Sequence, residues 1–228
     1  MRPVAAAYIA VAVVLTGACG YFAFLSKYSG SLTFWALAGG PTVLLAAVAA
    51  EWARREELLR DWMRPRAGDV TAGVLGAVLL VGVAWGFSRV VTPVGSPREI
   101  WLATLYGQIG NPLVLREHGV AVAIAILVAS LAEEIVWRGM VTQLLADRIG
   151  SRTAWIGAAA LYALAMVPTA WSLGAGGSLD PALVIAGFGA ALLWGFMARS
   201  FGRLTPGILA HAAFDWAIIM MFPLWGPG

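Results

Sequence analysis

The sequence predicts an all-α protein, a polytopic bundle of about seven transmembrane helices. Composition points there first. Hydrophobic residues fill 61% of the 228 positions and charged ones only 12%, against roughly 25% in a soluble domain, and mean hydropathy is +0.82. Apolar runs long enough to cross a bilayer recur along the chain, too many for one aqueous core. The basic residues lie between these runs rather than in one patch, and the net charge is only +3. That pattern suits orientation in a lipid bilayer and excludes nucleic acid as a partner. A single integral membrane domain over 1–228 is the simplest organisation, with the chemistry concentrated in a core of about 119–224. The lone Cys19 excludes an internal disulfide and a thiolate metal cluster. Arginine far outnumbers lysine, with Lys27 alone, and alanine and glycine are abundant, pointing to a GC-rich bacterial genome and a bacterial plasma membrane.

The first run, Val4 to Leu25, continues past Cys19, and Thr16 stands where a lipoprotein cleavage site wants an aliphatic residue, so a retained span is expected. Leu32 to Ala50 is a second span, interrupted by Gly39-Gly40-Pro41. Between Glu51 and Asp69 charges crowd together. Trp52, Leu59, Trp62 and Met63 fall near one helical face, with Glu56 and Arg60 at i,i+4. That fits a helix along the headgroups or a solvated extension of the second span. Val70 to Val91 is a third span, rich in small residues, followed by a loop whose middle, Ile100 to Tyr106, reads as a short interfacial helix.

Gly119 to Trp137 is the fourth span, and Val141 to Arg152 a connection. Ala154 to Trp171 is the fifth, and Ser172 to Leu179 a glycine-rich loop. Asp180-Pro181 reads as N-cap and first position of a sixth helix reaching Met197 and stopping at Arg199. Thr205-Pro206 opens a seventh, reaching Leu224. Seven spans put Arg2, Arg54, Arg55, Arg60, Arg64, Arg66, Arg138, Arg148, Arg152, Arg199 and Arg203 on one side of the membrane. Only Lys27, Arg89, Arg98 and Arg116 fall on the other, which places the N-terminus in the cytoplasm. Trp85, Trp171 and Trp225 then belong to an outer aromatic belt, and Trp52, Trp62, Trp137 and Trp155 to an inner one.

Glu133 and Glu134 follow a run, Val120 to Leu131, without a charged side chain. A carboxylate at that depth costs a few kcal/mol or more and is functional by default. Glu134 and Arg138, at i,i+4, can form a helix-end ion pair. Glu133 is rotated about 100° from Glu134 and meets Trp137 rather than a cation at i+4, which leaves it free to act as a general base. His211 and Asp215, also at i,i+4, enter the seventh span at a comparable depth, where the carboxylate can fix the imidazole tautomer. His118, beside Glu117 in a loop, reads as an interfacial residue.

Glu133-Glu134-x-x-x-Arg138 followed by His211-x-x-x-Asp215 resembles the CPBP family of intramembrane proteases, the CAAX-processing and bacteriocin-processing or Abi-like group. The resemblance runs from about Ala121 to Ala217 in order, spacing and span placement. It implies that Glu133 activates water, that His211 and Asp215 bind water or stabilise the oxyanion, and that Glu134 and Arg138 support them. The family's middle motif is an aromatic residue followed four positions later by histidine. Tyr162 keeps the aromatic position and Met166 stands at the histidine's, where a thioether can act neither as acid nor base.

The expected activity is peptide hydrolysis by glutamate-activated water. Its substrate is a membrane-embedded or lipid-anchored protein or peptide cleaved near the cytoplasmic face. No cofactor is expected; zinc is disfavoured because no H-E-x-x-H occurs and Met166 removes a second histidine. A catalytically inactive relative that binds membrane peptides in an immunity or assembly role is the alternative that Met166 favours. A small transporter is a third, against which stand the absence of a repeat and the scarcity of other intramembrane charges.

Overall fold

The structure, a computed structural model, describes residues 3–174 and 178–221. Arg2, Trp225, part of the glycine-rich loop and the expected end of the last span at Leu224 lie outside the described residues. The elements are α1 (Pro3–Ala23), a 3-10 turn (Ser26–Tyr28), α2 (Leu32–Arg55), α3 (Leu59–Met63), α4 (Asp69–Val90), α5 (Glu99–Ile109) and α6 (Pro112–Glu117). There follow α7 (Gly119–Glu133), a π-helical segment (Glu134–Val141), α8 (Thr142–Ile149), α9 (Ala154–Leu173), α10 (Ala182–Phe201) and α11 (Thr205–Met220). There is no strand among the described residues. Among the described residues six helices are long and apolar enough to cross a membrane; α11 has 16 described residues. The protein is a multi-pass membrane bundle.

Lipid offers apolar side chains no reason to leave it, so helix association in a bilayer rests on close packing and small residues. The bundle shows both sides of that rule. Val74, Val78, Leu79 and Val83 of α4 point outward, whereas Gly73 and Gly76 face α11. A methyl group at Gly73 would sit 2.6 Å from Leu209 Cβ, so only glycine permits this α4–α11 approach. α9 packs between α1 and α10, and α7 between α2 and α11. The π-helical segment is enclosed by α1, α2, α9 and α10, and all eight of its residues are buried.

Several boundaries differ from the sequence reading. Val141 to Arg152 is not a connection. The fourth span runs unbroken from Gly119 to Ile149, 31 residues, which puts Glu133 at mid-helix rather than at a helix end. The wider π turn lets the chain pass Arg138 without breaking, and Thr142 Oγ1 donates to Trp137 O at 2.8 Å to satisfy one carbonyl there. α2 runs on to Arg55, where Glu51 takes both Arg54 and Arg55 at 2.7 Å. The chain then turns at Glu57, with φ 61°, so Glu56 and Arg60 share no continuous helix.

Trp62 does not face the headgroups either. It is buried against Gly139, where a methyl group would sit 2.6 Å from its ring. Trp137 is likewise 1% exposed and belongs to the core instead of an inner belt, while Trp85 and Trp171 are exposed. α10 starts one residue later than predicted, at Ala182, so Pro181 rather than Asp180 is its N-cap; Asp180, just before it, accepts from Ala182 N at 3.0 Å. Its end also lies beyond Arg199, at Phe201, followed by Gly202 in the left-handed conformation, φ 65°.

Candidate active site

Three helices meet at Glu133. α7 supplies Glu133 itself, α9 supplies Tyr162, and α11 supplies His211 and Asp215 one turn apart on one face. Tyr162 Oη donates to Glu133 Oε2 at 2.7 Å. His211 Nε2 lies 3.9 Å from the same oxygen and 3.3 Å from Asp215 Oδ2. On the far side of the ring, Nδ1 lies 3.0 Å from Glu134 Oε1. Ser130, one helical turn before Glu134, reaches Asp215 Oδ2 at 3.5 Å.

Beneath these groups is a tightly enclosed cation. Arg138 Nη1 approaches Glu134 Oε1 at 3.3 Å, with the two side chains 3% and 0% exposed. Its guanidinium lies 5.0 Å from the Tyr162 ring and 5.0 Å from the Trp194 ring, a placement in which both π faces stabilise the charge. Trp194, from α10, also stacks on His211 at 3.6 Å between ring centroids and 17° between planes. Trp137 meets Tyr162 edge-on at 5.3 Å. Gly207 leaves room for Glu134, since a methyl group there would sit 3.1 Å from Glu134 Oε2.

All of the predicted polar residues, Glu133, Glu134, Arg138, Tyr162, His211 and Asp215, are thus brought together. Met166 is not part of the polar cluster. It sits one turn beyond Tyr162, close to Gly187, packed against the apolar core. The expected pairs Glu134–Arg138 and His211–Asp215 both form, and further contacts join them. Glu133 meets the Tyr162 hydroxyl, whereas its i+4 neighbour Trp137 packs on the ring of that same tyrosine. Glu134 serves both Arg138 and His211, and Asp215 shares the other ring nitrogen with Glu133.

Sequence reasoning missed Trp194, and a signal existed. Tryptophan favours membrane interfaces, yet Trp194 lies well inside α10, seven residues before its end. His118 lies apart from the cluster, exposed at the α6–α7 junction beside Arg116 and Trp216.

A catalytic zinc normally takes three protein ligands, at roughly 2.0–2.2 Å from one point. Among the described residues no group of three His, Cys, Asp or Glu side chains could hold a metal ion.

The buried centre of this multi-pass helical membrane protein thus holds a partly open glutamate, a histidine and their carboxylate supports. Residues 115–217 match the family described as type II CAAX prenyl endopeptidase, Rce1-like, the group to which the E-E-x-x-x-R and H-x-x-x-D motifs point. The match supports a CAAX-type intramembrane protease as the general class. No curated protein and no solved structure matches the chain.

Proposed function

We propose that the protein hydrolyses a peptide bond in a membrane-embedded or lipid-anchored substrate, with Glu133 as the base. The observation that carries this reading is a difference between adjacent carboxylates: Glu133 is 23% exposed beside His211, whereas Glu134 is 0% exposed between His211 and Arg138. Only the first can meet a water molecule and a substrate. Glu133 takes a proton from water as the water oxygen attacks the carbonyl carbon. His211 donates a hydrogen bond to the oxygen that becomes negative. When the C–N bond breaks, the proton held by Glu133 passes to the leaving amine.

No step of this scheme is assigned to a metal. The arginine distribution supports a cytoplasmic N-terminus and cleavage toward the cytoplasmic side of a bacterial plasma membrane. The test uses the full chain in proteoliposomes and a prenylated peptide ending in a CAAX sequence. Wild type cleaves it and Glu133→Gln does not. Equal cleavage by the two proteins overturns the assignment, and binding without cleavage by wild type favours the peptide-binding alternative that Met166 raises.

A further inference from the structure

Resting on the reading of Glu133 as the base, we infer that the Tyr162 hydroxyl is the positioning residue for its carboxylate, taking over at this site the place that Met166 leaves without a polar group. Residues 162 and 166 lie one turn apart on the same side of α9. A side chain in a helix leans toward the helix N-terminus, so the two reach neighbouring but different points. The thioether at 166 packs among apolar neighbours, and the phenol at 162 reaches the carboxylate.

Three features make the phenol a support rather than a chance neighbour. Its 2.7 Å hydrogen bond is directed at Glu133 Oε2, the oxygen that His211 also approaches, at 3.9 Å. With Oε2 bonded to the phenol from α9 and facing the imidazole from α11 across 3.9 Å, Oε1 is the oxygen left to receive the proton of a water. The ring itself cannot swing away, because Trp137 meets it edge-on at 5.3 Å and Arg138 lies 5.0 Å from its face. The whole residue is only 7% exposed, so water does not readily replace the phenol as donor. A phenylalanine would fill the same space and keep both ring contacts. What it would lack is the O–H, and with it the constraint that fixes the plane of the Glu133 carboxylate.

The experiment compares wild type, Tyr162→Phe, Met166→His and the double variant in proteoliposomes with the prenylated CAAX peptide. Thermal melting in detergent checks that each is folded. The inference expects Tyr162→Phe to lower kcat tenfold or more with KM within twofold. Adding Met166→His to that variant restores part of kcat, because an imidazole one turn away supplies a new donor. An unchanged kcat for Tyr162→Phe overturns the inference, as does a gain from Met166→His that is the same with and without the phenol.

If wild type cleaves nothing, the proposed activity falls instead, and a second readout still decides this point. The infrared carboxyl bands of Glu133, isolated by subtracting the Glu133→Gln spectrum, shift in Tyr162→Phe if the hydrogen bond holds the carboxylate. Unshifted bands overturn the inference.

Discussion

His211 Nδ1 lies 3.0 Å from Glu134 Oε1, so the second glutamate of the pair grips the imidazole from the side away from Glu133. Glu134 also faces Arg138 at 3.3 Å, with both side chains buried. Breaking a buried pair by removing one partner costs about 3–5 kcal/mol, because the other charge is stranded. Glu134→Ala is therefore expected to lower the melting temperature strongly as well as abolish turnover. Glu134→Gln keeps an oxygen that can accept from Nδ1 and is expected to fold better than the alanine variant while remaining impaired in turnover. Melting in detergent and turnover on the same preparations separate the two effects.

Gly207 lies at the back of this pair. A methyl group there would sit 3.1 Å from Glu134 Oε2, tighter than an ordinary contact, and Glu134 is fully buried. Gly207→Ala is expected to displace the Glu134 carboxylate by a few tenths of an ångström. It should reduce turnover more than it reduces melting temperature. An unaltered turnover would mean that the glutamate accommodates the methyl group at no cost to His211.

Trp194 covers both His211 and Arg138. Stacking and cation–π contacts are each worth about 0.5–1.5 kcal/mol beyond the area they bury. Trp194→Leu is expected to lose both, and Trp194→Phe to keep a share of the stack. The order of melting temperatures, wild type above phenylalanine above leucine, checks the account, and turnover should follow the same order if the stack holds the imidazole in place.

Burial pushes the Asp180 carboxyl up from its ordinary value, opposed in part by the hydrogen bond from Ala182 N. The native state therefore holds this proton more firmly than the unfolded chain does. Asp180 thus contributes stability that declines as pH rises from the ordinary carboxylate range through the raised native pKa. Asp180→Asn keeps an acceptor for Ala182 N and removes the titration. Melting temperatures followed from about pH 4 to pH 7 should decline less steeply in this variant than in wild type.

The helices and the polar cluster were legible in the sequence for a physical reason. A charge-free run followed by Glu133 and Glu134 is costly in lipid, and spacing alone puts His211 above Asp215. Which carboxylate grips which nitrogen was not legible, because partner choice depends on how α7, α9, α10 and α11 cross. The π-helical turn was hidden for a similar reason. Nothing in Glu134–Val141 breaks an α-helical pattern, and the wider turn depends on surroundings such as Trp62 pressed on Gly139. Tyr162 could be placed as an aromatic residue four positions before Met166, but its hydroxyl found its partner only once α9 was set against α7.

Far from the cluster, Arg203 binds Asp69 through Nε at 3.0 and 3.2 Å and through a second, shorter contact from Nη2. The same carboxylate accepts from Arg66 N at 2.9 Å, and Leu204 N donates to Trp62 O at 2.9 Å. These bonds fasten α3 and the start of α4 to the turn between α10 and α11, where Arg203 lies two residues before Thr205 opens the helix that carries His211. Removing Arg203 leaves Asp69 without its cation, and removing Asp69 leaves Arg203 without its anion, so each single change strands a buried charge. Arg203→Met and Asp69→Asn are each expected to lower both melting temperature and turnover. The double variant should be harmed less than the sum of the two, because neither charge remains to be stranded. Simple additivity in this cycle would show that the two residues act independently, and that the register of α11 is set elsewhere, by the Gly73 crossing.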